Sequence, residues 1–182
     1  MIAIDLPHVI QREGHTCGAA ALLAVASYYG VGPGSEAGVV HDMGFGADGS
    51  DPAHLIRAAT RYGLACREYR PMSTHELVRC IDRGRPVILM LQAWPDVAPA
   101  RGFADVWDTG HWVVAIGHDA TGVYFADPSL PGSRGFLAHA ALAERWHDIE
   151  GSDAHHVQRY GVAIWRQRVV HRVTLGRVRP IG

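Results

Sequence analysis

The chain has 182 residues, 48% of them hydrophobic and 19% charged, enough to bury a real core and close to the usual size of one domain. Its 17 basic residues against 18 acidic give a formal charge of −1, no reason to expect nucleic acid or an anionic membrane as a partner. The longest apolar stretch, Ala19 to Tyr29, contains Ser27 and is too short to span a bilayer.

Met1 to Arg12 shows no basic region followed by an apolar run and a cleavage site, so no targeting segment is expected. The three cysteines, Cys17, Cys66 and Cys80, are odd in number and lack metal-binding or disulfide-scaffold spacing. The expectation is a protein with free thiols from a reducing compartment, the cytoplasm, with no metal and no cofactor. The Ala, Gly and Arg bias hints at a GC-rich bacterial genome. Twelve histidines would make the charge clearly positive below about pH 6.

Ile2 to Ile10 reads as an extended lead-in. Gly14-His15-Thr16-Cys17-Gly18 is a turn feeding an alanine-rich helix that stops at Gly30, which puts Cys17 at or just before a helix N-terminus. Residues 31 to 50, rich in glycine and with few apolar anchors, are expected to be a loop. A helix then follows Asp51 as cap and Pro52 in the first turn, ending at Gly63. Another has Ser73 and Glu76 in capping-box spacing and runs to Gly84. The second half is different: Pro86 to Leu91, His111 to Ile116 and Val123 to Ala126 are short apolar runs rich in β-branched or aromatic residues. A helix from about Ala138 to Trp146 interrupts them, and Tyr160 to Trp165 and Val169 to Leu175 read as further strands. Helices first and strands second predict α+β with an antiparallel sheet. No repeat or long linker divides the chain, so residues 1–182 are expected to form one domain.

A cysteine nucleophile needs a thiolate, a base, an orienter for the base and an oxyanion donor. Cys17 precedes a helix whose unpaired N–H groups favour negative charge, and Gly18 beside it is expected to keep the approach to sulfur open. Cys66, in a predicted strand, and Cys80, on the apolar side of a helix, read as ordinary buried thiols. His111 opens an apolar strand after Gly110, a place where a base is held rigidly. Asp127 ends the next strand, and in a hairpin it would reach the far ring nitrogen of His111 and fix the tautomer. Gln11, six positions before Cys17, offers an amide donor to an oxyanion, with the Cys17 N–H as the second.

Gln11-x5-Cys17-Gly18-Ala19-Ala20, then Gly110-His111-Trp112-Val113-Val114-Ala115-Ile116-Gly117, then Phe125-Ala126-Asp127-Pro128-Ser129 resembles the C39 family of cysteine peptidases, in the same order. The likeness runs from about Asp5 to Trp165, and Ser133 to Phe136 with Arg145 to Asp148 is similar to the tail of free-standing bacterial members. It implies a papain-like fold, with Cys17 on a helical N-terminal half packed on a C-terminal antiparallel sheet that carries His111 and Asp127. It implies Cys17 as nucleophile, His111 as base, Asp127 as orienter and Gln11 as oxyanion donor, acting on a peptide or protein. The best-known relatives cut leader peptides after a double glycine and are fused to a peptide-exporting transporter. This chain has neither transmembrane segments nor a phosphate-binding loop, so that specificity is not carried over.

Rival readings use the same residues. An acyltransferase or transpeptidase would share the site and pass the acyl group to an amine. A non-catalytic peptide-binding module on the same fold would be expected to have lost the nucleophile or base, and all four positions are kept. His155 and His156, with His147, Asp148 and Asp153, raise metal binding, but adjacent strand histidines face opposite ways and the spacing is not that of a zinc site; a solvated loop is expected. Finally, Trp94 to Thr109 forms a loop directly before His111. Its Trp107 and Asp108, with Trp112 just beyond, are candidate substrate-binding residues in an aromatic cluster with Trp94 and Phe103, with Asp105 and Asp108 selecting a basic or amine group; the alternative is that the loop is a packing lid.

Overall fold

The computed structural model describes residues 2–151 and 153–166, Ile2 by its backbone alone. In chain order it has β1 (Ile2–Ala3), α1 (Cys17–Tyr28), α2 (Glu36–Met43), α3 (Pro52–Arg61), β2 (Ala65–Tyr69), α4 (Thr74–Asp82) and β3 (Val87–Gln92). There follow β4 (Gly110–His118), β5 (Gly122–Ala126), β6 (Gly135–Ala138), α5 (His139–Arg145), β7 (His147–Glu150), β8 (His155–Gln158) and β9 (Gly161–Trp165). The main sheet has the order β2-β9-β3-β4-β5-β6, with β1 paired to β4, and every pairing is antiparallel. The α+β class is as expected. The predicted strand Val169 to Leu175 lies outside the described residues.

The apolar runs lack strict alternation because both faces of the sheet are covered. Ile88, Met90, Trp112, Val114 and Ile116 pack with α1, α2 and α3, whereas Val87, Leu89, Leu91, Val113 and Ala115 pack with α4 and α5. Helix α1 is buried from Cys17 to Ala26, and its alanines let it sit between the sheet and the outer helices. A helix apolar on all sides belongs in such a place.

Two expectations are corrected. The glycine-rich stretch 31–50 contains α2, where a loop was expected. Ser35 caps it by accepting the Gly38 N–H at 3.2 Å, Gly44 ends it at φ 69°, and Val39 and Met43, four apart, bury the inner face. Its signal is weak because tertiary contacts hold it: the buried Glu36 carboxylate accepts the Thr16 hydroxyl at 2.5 Å and the Arg12 N–H at 3.1 Å. The histidine-rich segment is the second correction. It forms the β7–β8 hairpin, with Ile149 paired to His156. Here cross-strand pairing and packing on Trp107 override the polar composition.

Candidate active site

Cys17 is the first residue of α1, so its N–H has no partner within the helix. The turn before it is braced by Thr16, whose hydroxyl accepts the Glu13 N–H at 3.2 Å while donating to Glu36. Gly18 has a packing role, in place of the open approach expected from sequence. A Cβ there would collide with Ser50 Oγ and press on the Trp112 ring.

His111 begins the covered part of β4, and Asp127 directly follows β5. Val114 pairs with Ala126, so Asp127 and His111 are diagonal neighbours on one side of the hairpin. His111 Nε2 donates to Asp127 Oδ1 at 2.7 Å, which leaves Nδ1 as the ring nitrogen open to Cys17, a neighbour close enough to favour the charged ring. All three are buried, at 7%, 5% and 6% exposure. Burial by itself would depress the His111 pKa. Hydrogen bonding of the ring to Asp127 and its interaction with Cys17, with the charge on each, outweigh it and push the ring up to about 9. Burial likewise works against the Asp127 carboxylate, but His111, the Ser129 N–H at 2.8 Å and the Trp94 indole N–H at 3.1 Å hold it below the usual range. Trp94 reaches Asp127 from a left-handed backbone conformation, φ 57°, an arrangement that costs on the order of 1–3 kcal/mol for a residue with a side chain.

Gln11 sits across the opening. Its N–H bonds Pro128 O at 3.0 Å, and its Oε1 accepts the Ser129 hydroxyl at 3.0 Å. Nε2 donates to the Glu13 and Gly14 carbonyls at 3.0 and 3.2 Å, so both amide hydrogens are engaged in the turn that leads to Cys17. Gln11 lines a hollow of about 350 Å³ with His111, Trp94 and Ser129, and a second hollow of about 260 Å³ holds Cys17. Gly14, Asp108 and Gly110 border both, so the two meet beside the Cys17–His111 pair.

The three candidate substrate-binding residues all border the Cys17 hollow, in different ways. Asp108 is exposed at its mouth. Trp107 is half-buried, stacked on His156 with centroids 3.9 Å apart and tilted against His147 at 4.3 Å. Trp112 is a core residue that donates its indole N–H to Ser50 O at 3.0 Å and packs edge-on against Tyr160. Asp105 lines neither hollow, and Phe103 lies under Arg145. Among the described residues no three His, Cys, Asp or Glu side chains are grouped so as to hold a metal ion. Cys66 is half-buried and pushed up to about 11, chiefly by burial; Cys80 is buried, 3.7 Å from the Tyr69 hydroxyl.

Two residues near the site were given no role from the sequence. Glu36 braces the turn before Cys17. Asp148, in β7, lines the Cys17 hollow and packs against Gly110, where a Cβ would collide with its carboxylate. The sequence signals for Asp148 were its place in the family-like stretch Arg145 to Asp148 and in a histidine-rich cluster, neither of which gave it a role at the site.

The profile of the family described as "Peptidase_C39 like family" matches residues 3–153. Among solved structures, the chain is similar to the peptidase domain of Streptococcus ComA, a bi-functional ABC transporter involved in a quorum-sensing pathway. The two are 18% identical with a TM-score of 0.63, over 90% of this chain and 99% of that one. A putative C39-like peptidase from Bacillus anthracis gives 14% identity and a TM-score of 0.68, over 91% and 97%. A double glycine motif protease from an AMS/PCAT transporter, solved in complex with its leader peptide, gives 20% and 0.58, over 89% and 92%. No curated protein sequence matches the chain.

Proposed function

We propose that this chain, which belongs to the Peptidase_C39 like family, is a cysteine peptidase acting through Cys17, His111, Asp127 and Gln11, as one catalytic domain. The carrying observation is the buried line Asp127–His111–Cys17, with the cysteine at a helix start and a cleft beside it. A relative solved with a leader peptide supports a peptide as the substrate class. Three free thiols fit a reducing compartment such as the cytoplasm, and no helix among the described residues is long and apolar enough to cross a membrane.

The Cys17 thiolate attacks the scissile carbonyl carbon, an S–C bond forms, and the carbonyl π electrons move onto oxygen. The Cys17 N–H and one Gln11 Nε2 hydrogen stabilise that oxyanion; the Gln11 hydrogen turns away from its carbonyl partner to do so. His111 gives its Nδ1 proton to the leaving amine as the C–N bond breaks. It then takes a proton from water, which attacks the acyl-enzyme and restores the thiolate. Asp127 keeps the ring in register throughout.

A peptide library of broad composition serves as the test. Wild type and Cys17→Ala are incubated with it, and new termini are mapped by mass spectrometry. Wild type is expected to produce a defined set of new termini, and Cys17→Ala to lower their rate on the order of 10⁴-fold. Equal turnover by the two proteins would end the proposal.

A further inference from the structure

The Cys17 hollow is bordered by four carboxylates, Asp48, Asp51, Asp108 and Asp148, and by no lysine or arginine among the described residues lining it. Asp148 differs from the others. It is 7% exposed. Its Oδ1 accepts the Gln92 amide at 3.0 Å and the Ile149 N–H at 2.8 Å, while Oδ2 has no hydrogen bond among the described residues. Asp148 also has no ion pair among them. Burial pushes this carboxyl up to about 7, offset in part by Ile149, Gln92 and the charge of His111. Ser50 Oγ, on the same wall, is wholly buried and lacks a partner among the described residues. Buried polar groups are normally satisfied, and a desolvated carboxylate is costly unless it meets an opposite charge. Of the two, the Asp148 carboxylate borders a hollow of about 260 Å³ beside the reactive sulfur, room for one long side chain and less than a drug-sized ligand fills, whereas Ser50 Oγ is packed against Gly18.

We propose that this side of the cleft receives a positively charged side chain of the substrate, an ammonium or guanidinium, with Asp148 Oδ2 as its specificity-determining partner and Asp108 at the mouth. This rests on Cys17 being the attacking atom. The ligand supplies the direct ion-pair partner that Asp148 lacks among the described residues, and rigid anchoring of Oδ1 by Gln92 and Ile149 fixes where that charge must sit. Gly110 is what allows the backbone of β4 to lie against the carboxylate.

Small thiol reagents of matched reactivity and different charge test it directly. The trimethylammonioethyl, sulfonatoethyl and methyl methanethiosulfonates each form a mixed disulfide as the thiolate displaces methanesulfinate. Rates at Cys17 are read by mass spectrometry and divided by those of a free small-molecule thiol. The cation should outpace the anion on the order of tenfold. Asp148→Asn, isosteric and checked by its thermal melt, should lose most of that ratio, and Asp108→Asn a smaller part. Ready reaction with the neutral reagent but no charge preference would overturn the inference and leave the peptidase reading standing. A full preference in folded Asp148→Asn would overturn it as well. No reaction of Cys17 with any reagent would overturn both. Should Asp148→Asn fail to fold, the wild-type ratio and its fall in Asp108→Asn decide the matter.

Discussion

At the scale of single residues, His111 is the most informative side chain. It is buried, yet its imidazolium is favoured, because Asp127 and Cys17 flank it and outweigh the desolvation that would otherwise strip its proton. Asp127 does this as a carboxylate, and three donors keep it one: His111, the Ser129 N–H and the Trp94 indole. Asp127→Asn keeps the shape and removes the charge. In that variant the burial of His111 should dominate, and the ring should titrate far below about 9, near or under the ordinary histidine value. A histidine NMR titration reads this directly. A midpoint still near 9 would mean that Asp127 does not set the charge of the ring. Under the proposed function, activity in the same variant should fall by less than in Cys17→Ala, since only the orientation of the ring would be lost.

At the scale of elements, the site is a junction between the start of α1 and the ends of β4 and β5, and its accuracy depends on the turn that delivers Cys17. Glu36, the first residue of α2, reaches back to that turn and binds the Thr16 hydroxyl and the Arg12 N–H. Removing it leaves the half-buried Arg12 N–H without its acceptor and the Thr16 hydroxyl with only the Glu13 carbonyl, at 3.0 Å. Glu36→Ala should therefore cost about 1–3 kcal/mol in chemical denaturation. It should also slow alkylation of Cys17 more than that of Cys66, since the latter lies away from that turn, in β2. A variant with unchanged stability and unchanged Cys17 reactivity would show that α2 does not brace the turn.

At the scale of the whole molecule, a sheet covered on both faces explains why so much was legible from the chain. Runs such as Val87 to Leu91 and His111 to Ile116 are apolar at nearly every position because alternate residues enter two different cores. Their boundaries stand out against Gly, Pro and Asp. The pairing of His111 with Asp127 was legible for the same reason, since both sit at the ends of consecutive strands of one hairpin. Helix α2 was hidden because only Val39 and Met43 mark its buried face, the rest of its support comes from the buried Glu36 carboxylate and two caps, and its glycines read as loop. Asp148 was hidden because its meaning lies in being buried beside Gly110 and His111, residues distant in sequence that only the β3–β7 side of the fold brings near. Gln11 was legible by its spacing to Cys17, but the engagement of both its amide hydrogens was not. The measurement that bears most directly on the whole account is the rate of alkylation of Cys17, Cys66 and Cys80 against pH, in wild type and His111→Ala. Cys66, pushed up to about 11 by burial, should lag at neutral pH, and Cys17 should react first there. Since His111 keeps its proton up to about pH 9, the advantage of Cys17 should hold across that range and vanish in His111→Ala. A Cys17 that reacts no faster than Cys66 at neutral pH, or equally fast without His111, would contradict the thiolate–imidazolium pair on which the proposed function rests.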